Sequence, residues 1–275
     1  MTGLIGDLRG RTALITGSTK GVGAAIARRF ACAGARVVIS GRNSDRGVGV
    51  EHVIRASGGE ALFVAIDLND ERQVAEGVQT AVEHYGGLDI LVNNAAPTDM
   101  VLGGDDSVGE LGTEQLMAIL TPGLLGQFWS CAYALPHLVA NRSSAIVNIS
   151  AAASKIGVPK ATGYSLSKGA INALSRQIAV DYGDRGLRSN TIIIGHVLTD
   201  DAAALLKAHP DMSAAFDAMT VTRPGYPDDV AAAAQFLASD DAGYITGVEL
   251  PVDGGMLIVH NVPAVSQATK PGGPR

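Results

Sequence analysis

The chain of 275 residues predicts a doubly wound α/β fold, a parallel sheet with helices on both faces. Three observations carry this prediction. Short, continuous apolar runs recur along the chain and alternate with longer amphipathic segments, the pattern of strands buried on both faces by crossover helices. A glycine-rich turn joins the first such run to an alanine-rich helix. Hydrophobic residues make up 47% against 17% charged, with 34 glycines, which suits a large core with tight turns and close helix–sheet contacts.

The elements follow in order. TALIT (12–16) reads as the first strand, and the helix over 24–33 is stopped by Gly34. RVVIS (36–40) and ALFVAI (61–66) are the next two strands. In Asp70–Tyr85, Val74, Val78 and Val82 recur every four residues. Asp70 can cap that helix, with Gln73 placed as in a capping box. DILVNN (89–94), AIVNIS (145–150), SNTIII (189–194) and VELPV (248–252) complete the strands, and Pro251 suits an edge position. Pro122-Gly123 is poor helix material and predicts a kink or opening. Residues 199–222 read as small helices between two strands, a lid or binding loop. No repeat or linker divides residues 1–256, which read as one domain. Residues 257–275, rich in Pro and Gly, read as a poorly ordered tail.

The formal charge of −6 argues against general nucleic-acid or anionic-membrane binding. No apolar run is long enough to span a membrane, and the N-terminus carries charges where a signal peptide would be apolar. A soluble cytoplasmic protein is expected. Cys32 and Cys131 lie in apolar helical stretches and are expected as buried thiols. The histidines lack metal-ligand spacing, so no metal is expected.

The glycine turn is TGSTKGVG, with Gly17, Gly21 and Gly23 spaced G-x-x-x-G-x-G. Between a strand and a helix, such a turn lets backbone N–H groups meet a pyrophosphate at the helix N-terminus. The turn residues Gly17, Ser18, Thr19, Lys20, Gly21, Val22 and Gly23 are therefore candidates for cofactor binding. The second strand ends Ser40-Gly41-Arg42, without the carboxylate that would hold a ribose 2′-hydroxyl. Arg42, with Lys20 nearby, can instead pair with a 2′-phosphate, which favours NADP(H) over NAD(H).

In NISAAASKIGVPKATGYSLSK, Tyr164 and Lys168 stand one helical turn apart on one face. An ammonium beside a phenol lowers the phenol's pKa and can make it a proton carrier.

With these motifs in this order, the chain resembles the short-chain dehydrogenase/reductase family over roughly residues 8 to 256. TGSTKGVG is similar to the family's glycine turn. Asp67-Leu68 resembles the pair flanking the adenine. LDILVNNAA resembles its Asn-Asn-Ala-Gly motif with Ala96 in place of glycine. YSLSK matches its Tyr-x-x-x-Lys. RSNTIIIGHVLTD resembles the segment after the sixth strand with Ile194 replacing proline, and ITGVELPVDGG the closing strand. The resemblance implies a single Rossmann-type domain with a seven-stranded parallel sheet. It also implies a homotetramer or homodimer built through paired helices and the last strand. It implies hydride transfer between a nicotinamide and a carbonyl or alcohol carbon, with Tyr164 handling the proton and Lys168 on the nicotinamide ribose. Asn93 would lie along the adenosine ribose with Ala95 beside it, Val197 would meet the nicotinamide amide, and Thr199 the pyrophosphate.

Two catalytic positions also depart from the family pattern. The serine usual thirteen residues before the tyrosine is Ala151, and the usual asparagine of the fourth helix is Gly123. Adjacent Ser150 should point to the opposite side of the strand. Ser154 could substitute only if its loop folds back. His196, at a strand's C-terminal end, is the candidate replacement donor to the substrate oxygen; it can equally be a loop histidine without substrate contact. Leu205, Leu206, Met212, Phe216 and Met219 suggest an apolar pocket wall, and equally fit packing or oligomer contacts. The leading expectation is an NADP(H)-dependent reductase of a ketone or aldehyde, working through Tyr164 and Lys168. The rival is a catalytically impaired relative that binds NADP(H) as a sensor or supporting subunit.

Overall fold

The computed structural model describes residues 5–97, 103–141 and 143–259. Seven strands form one parallel sheet: β1 (Thr12–Ile15), β2 (Arg36–Gly41), β3 (Glu60–Ala65), β4 (Ile90–Asn93), β5 (Ser144–Ala151), β6 (Leu187–Ile194) and β7 (Glu249–Val252). Their order is β3-β2-β1-β4-β5-β6-β7. The register pairs Ile15 with Ile39 and Val92, Asn93 with Asn148, and Ala151 with Ile194. The strand order reverses between β1 and β4, and the crevice beyond the carboxyl ends of the strands at such a switch point is where open α/β sheets bind their ligands. The predicted sheet is thus observed, and Pro251 lies on the edge strand β7, where its missing N–H breaks no ladder bond.

One face of the sheet is covered by α1 (Gly21–Cys32), α2 (Ser44–Ala56) and α9 (Pro227–Ala238), through Ile26, Phe30, Ile54, Val230 and Leu237. The other is covered by α3 (Glu71–Tyr85), α5 (Gly126–Leu138) and α6 (Thr162–Tyr182), through Val74, Val78, Cys131, Leu138 and Ile178. Alternation along β5 divides its side chains: Val147 and Ile149 join the first core, Ile146 the second. Gly34, at φ 91°, stops α1 as expected.

Local details refine several expectations. Asp70 caps α3 by accepting from the amides of Arg72 and Gln73 at 3.0 and 3.3 Å. The Gln73 side chain does not close a capping box; it donates to the Asp70 carboxylate and accepts from the Asp67 amide. α4 (Thr113–Leu120) runs into α5 through a π-helical turn over Thr121–Leu125, because Pro122 has no N–H to continue an α-helical ladder. Residues 199–222 fold largely as α7 (Asp200–Ala208) and α8 (Pro210–Ala218). Cys131 is buried, but Cys32 is exposed: it lies at the last position of α1 on the solvent side, while Phe30 and Ala31 face the core. Among the described residues no helix is long and apolar enough to cross a membrane, and no cluster of His, Cys, Asp and Glu could hold a metal ion. The tail beyond residue 259 lies outside the described residues.

Candidate active site

The glycine turn sits at the switch point. Gly17 (φ 63°) and Gly21 (φ 56°) occupy the left-handed region that L side chains avoid. A Cβ on Gly17 would stand 2.7 Å from Ala95 Cα, and one on Gly23 2.4 Å from both Asn94 Nδ2 and the Gly17 carbonyl oxygen. Only glycine permits this approach of β4's end to the turn. Asn94 completes it, donating to the carbonyls of Thr16 and Gly17, both at 3.0 Å. The asparagine doublet after β4 carried this signal, but sequence reasoning selected the other member. Asn93 is fully buried, and its side chain donates to Asn148 and Cys131, turned inward and away from the turn's surface.

The N-terminus of α1 has no side-chain cap at Lys20 and no acid in its first turn. Unmet N–H groups at a glycine turn, with the positive end of the helix behind them, fit a cofactor pyrophosphate. Thr199 lies opposite: its methyl carbon is 3.3 Å from where a Cβ on Gly21 would be, while its hydroxyl caps α7 by accepting from the Ala202 amide. Ser18 is buried and spent on structure, donating to the Ile15 carbonyl and accepting from the Ser40 amide. Gly41 is packed on Thr19, at 2.8 Å for a Cβ, which brings exposed Arg42 alongside the turn; Val22 packs against the first core. Lys20 does not stand free for a phosphate. Its ammonium is 2.5 Å from the carboxylate of Asp201 on α7, a competing anion that lies 181 residues away in the chain.

At the other side of the crevice, Tyr164 lies in the first turn of α6 and Lys168 one turn on. The Lys168 ammonium is 5.7 Å from the Tyr164 ring centroid and donates to the Ile149 carbonyl at 2.8 Å. Burial governs both groups: it pushes the Tyr164 phenol up to about 12 and lowers the Lys168 ammonium to about 8. The expected lowering of the phenol by its neighbour is therefore not found; the loss of water outweighs an ammonium held at this distance and aimed at a carbonyl.

Ser150 and Ala151 point to opposite sides, as the strand pleat requires, and the Ser150 hydroxyl donates to the Lys168 carbonyl. Ser154 does not fold back toward the phenol. It donates to the Ala151 carbonyl and accepts from Asn172, two turns beyond Tyr164 on α6, roughly 12 Å along the helix. Asn172 and Arg176 in turn bind Glu249 of β7, which fixes that region as scaffold. Gly123 lies in the π turn, where a Cβ would stand 2.7 Å from the Ser167 hydroxyl. The His196 ring stacks on Phe216 of α8, centroids 4.3 Å apart. The Val197 segment is pinned to Gly225 by backbone bonds on both sides, from Gly225 N to His196 O and from Leu198 N to Gly225 O. Asp67 and Leu68 follow β3, Leu68 buried beneath Gly126 and Asp67 accepting from Asn69.

Between α8 and the segment after β7 lies a cavity of about 470 Å³ lined by Ile156, Ala215, Ala218, Met219, Met256, Leu257 and Val259. Every lining side chain is apolar. Of the five wall residues read from the sequence, Met219 lines it and Phe216 stacks on His196; Leu206 is buried packing, Leu205 is half-buried outside the lining and Met212 is exposed.

A parallel seven-stranded sheet with a glycine turn at the switch point and a Tyr-Lys pair across the crevice defines a class, the nicotinamide-dependent oxidoreductases of Rossmann type. The family model described as enoyl-(acyl carrier protein) reductase matches residues 17–257. The chain is 37% identical over 249 residues to a 2,5-dichloro-2,5-cyclohexadiene-1,4-diol dehydrogenase of Sphingobium indicum, covering 90% of this chain and 96% of that protein. A crystal structure from Agrobacterium tumefaciens, assigned as a gluconate dehydrogenase, superposes with a TM-score of 0.87 at 33% identity, over 94% of this chain and all of that one. Another from the same organism, assigned as a 2-deoxy-D-gluconate 3-dehydrogenase and solved with bound NADP, gives a TM-score of 0.84 at 30% identity over 93% and 99%. The chain belongs to the short-chain dehydrogenase/reductase family, and it is an oxidoreductase acting on CH–OH and C=O groups.

Proposed function

We propose that this enzyme is an NADP(H)-dependent reductase of neutral, apolar ketones or aldehydes, with Tyr164 as proton donor. The observation that carries this reading is the half-buried Tyr164 phenol beside the fully buried Lys168, across the crevice from the uncapped glycine turn. A phenol held up to about 12 stays protonated near neutral pH, which suits donation to a carbonyl oxygen more than removal of an alcohol proton. Lys168 keeps most of its charge at pH 7 even when lowered to about 8. That charge stabilises negative charge developing on Tyr164 as the proton leaves.

The bound nicotinamide supplies the hydride. The turn from Gly17 to Gly23, Thr199 and the backbone at Val197 hold the cofactor, with Asp67, Leu68 and Ala95 along its adenosine half. Arg42, exposed at the end of a strand that ends without a carboxylate, receives the 2′-phosphate; a structural relative solved with NADP supports this preference. The apolar cavity takes the body of the substrate. His196, stacked on Phe216, is assigned the donor role that Ala151 cannot fill. Exposed apolar side chains on α5 and α6, Phe128, Leu166 and Val180 among them, support assembly through paired helices as a homodimer or homotetramer.

The test is NADPH oxidation by the purified protein over alicyclic ketones, aliphatic aldehydes and keto-sugars. Turnover of the apolar carbonyls with NADPH, at a higher kcat/KM than with NADH, is expected. A preference for keto-sugars overturns the substrate class, and failure of every carbonyl overturns the reductase reading.

A further inference from the structure

The helix that carries Tyr164 cannot cap itself. Its N-cap is Ala161, which has no side-chain oxygen, and Tyr164 is its third residue. The phenol is therefore mounted on the first turn, where backbone N–H groups lack intrahelical partners and helices fray. The missing cap comes from elsewhere in the chain. Asp105, in the loop between β4 and α4, turns its carboxylate onto this end: Oδ1 accepts from the Gly163 amide and Oδ2 from the Tyr164 amide, both at 2.9 Å. The second bond is to the backbone of the tyrosine itself.

Two neighbouring contacts hold the same junction. Asp106 Oδ1 is 3.3 Å from Lys160 Nζ, and Lys160, just before the helix, is a non-glycine residue with positive φ, at 57°. Gly163 admits Ile119 of α4, whose Cδ1 would lie 3.0 Å from a Cβ there.

We propose that Asp105 is a positioning residue, whose carboxylate fixes the first turn of α6 and so sets the Tyr164 phenol against the substrate oxygen. This rests on Tyr164 acting as the proton donor. The carboxylate touches neither substrate nor cofactor; it acts through two backbone amides. Both oxygens are needed, because one bond leaves the turn free to pivot about it.

The experiment compares Asp105→Ala, Asp105→Asn and Asp70→Ala with the wild type. Asp70 caps α3 by the same chemistry, a carboxylate on two first-turn amides. It therefore controls for the loss of a helix cap as such. Three readouts are taken: thermal stability, kcat and KM with NADPH and the best carbonyl, and the ¹³Cζ resonances of labelled tyrosine, assigned with Tyr164→Phe. For Asp105→Ala, kcat should fall by about ten- to a hundredfold while the KM for NADPH moves less than about twofold, as expected for misplacement of a reacting group. The Tyr164 resonance should shift or broaden. Asp105→Asn, which keeps one acceptor oxygen, should fall between wild type and alanine. Asp70→Ala should lose stability but keep both kcat and the Tyr164 resonance. The proposal is overturned if Asp105→Ala behaves like Asp70→Ala, less stable but with wild-type kcat and an unmoved Tyr164 signal. If Asp105→Ala does not fold, the asparagine variant decides by the same readouts. If the wild type reduces no carbonyl, the reductase reading fails on its own, and the Tyr164 resonance in the Asp105 variants still decides the clamp.

Discussion

Lys168 Nζ lies 5.7 Å from the centroid of the Tyr164 ring, and burial drives their pKa values apart, the phenol up to about 12 and the ammonium down to about 8. The pair at neutral pH is a neutral acid beside a cation. Replacing Tyr164 with Phe removes the acid and leaves the shape. The expected result is a fall in kcat of about 10²–10⁴, with the cofactor titration little changed. An equal loss of cofactor binding would contradict a proton-transfer role.

The same pair makes stability depend on pH, with a definite sign. The Lys168 pKa in the folded protein is about 8, below its ordinary value of 10.5. Between these values the unfolded chain binds more protons, so stability rises with pH across that window. The penalty on the folded state is fully present below pH 8 and is relieved toward pH 10.5. Its size is on the order of 3 kcal/mol, at about 1.4 kcal/mol per unit. Denaturant titrations of wild type and Lys168→Met should converge by that amount as pH rises from 7 to 10.

Ala151 stands at the C-terminal end of β5, where a hydroxyl would face outward from the sheet. A single preorganised donor to a developing oxyanion is worth about 10²–10³ in rate. Ala151→Ser is expected to raise kcat, by less than that range if His196 already fills the role. Combining it with His196→Phe tests this: the serine's gain should be larger when the imidazole is absent. Equal gains in both backgrounds would remove His196 from the proposed site.

A side chain at Gly123 meets Ser167, whose hydroxyl would be 2.7 Å from the new Cβ. Ser167 is fully buried, so its oxygen has little room to withdraw. Gly123→Ala should destabilise by about 1–3 kcal/mol, the usual range for overpacking. Adding Ser167→Gly should restore much of that loss. Chemical denaturation of the two single variants and the double variant measures the coupling.

Lys20 is held by Asp201, and both side chains are partly exposed to solvent. Asp201→Asn frees the lysine for a phosphate. The expected gain in NADP(H) affinity is modest, up to about fivefold, because exposed ion pairs are worth about 0.2–1 kcal/mol. NAD(H) affinity should move less, and the gain should fade with salt. Arg42→Ala should weaken NADP(H) much more than NAD(H); equal weakening would argue against a 2′-phosphate contact.

Much of this was legible in the residues alone. Runs such as RVVIS and AIVNIS announced buried strands because parallel strands are apolar on both faces, and each appears where its run lies. The glycine spacing announced a tight strand-to-helix turn, because the left-handed conformations at Gly17 and Gly21 exclude other residues. Pro122-Gly123 announced a break, because a missing N–H acts within one turn; the π turn is its form. Other features were hidden. Nothing near Ser18 in sequence shows that its hydroxyl is taken by Ile15 and Ser40, or that Asn93 turns inward to Asn148. Whether the loop of Ser154 folds back is likewise not written nearby in the chain; its hydroxyl is taken by Ala151 and by Asn172, two turns beyond Tyr164 on α6.

What the sequence by itself determined is therefore what depends on residues close along the chain: the periodicity of strands and helices, the turn that only glycine allows, and a tyrosine and lysine sharing one helical face. Tertiary structure alone decided how charged and polar groups are used. It set the buried Lys168 at about 8, gave Lys20 to Asp201, pressed Ser167 against Gly123, and brought Asp105 across 59 residues to the amide of Tyr164. The physical reason is that backbone preference acts over a few bonds, whereas desolvation and hydrogen-bond partnership depend on what the folded chain places nearby, at any separation in sequence.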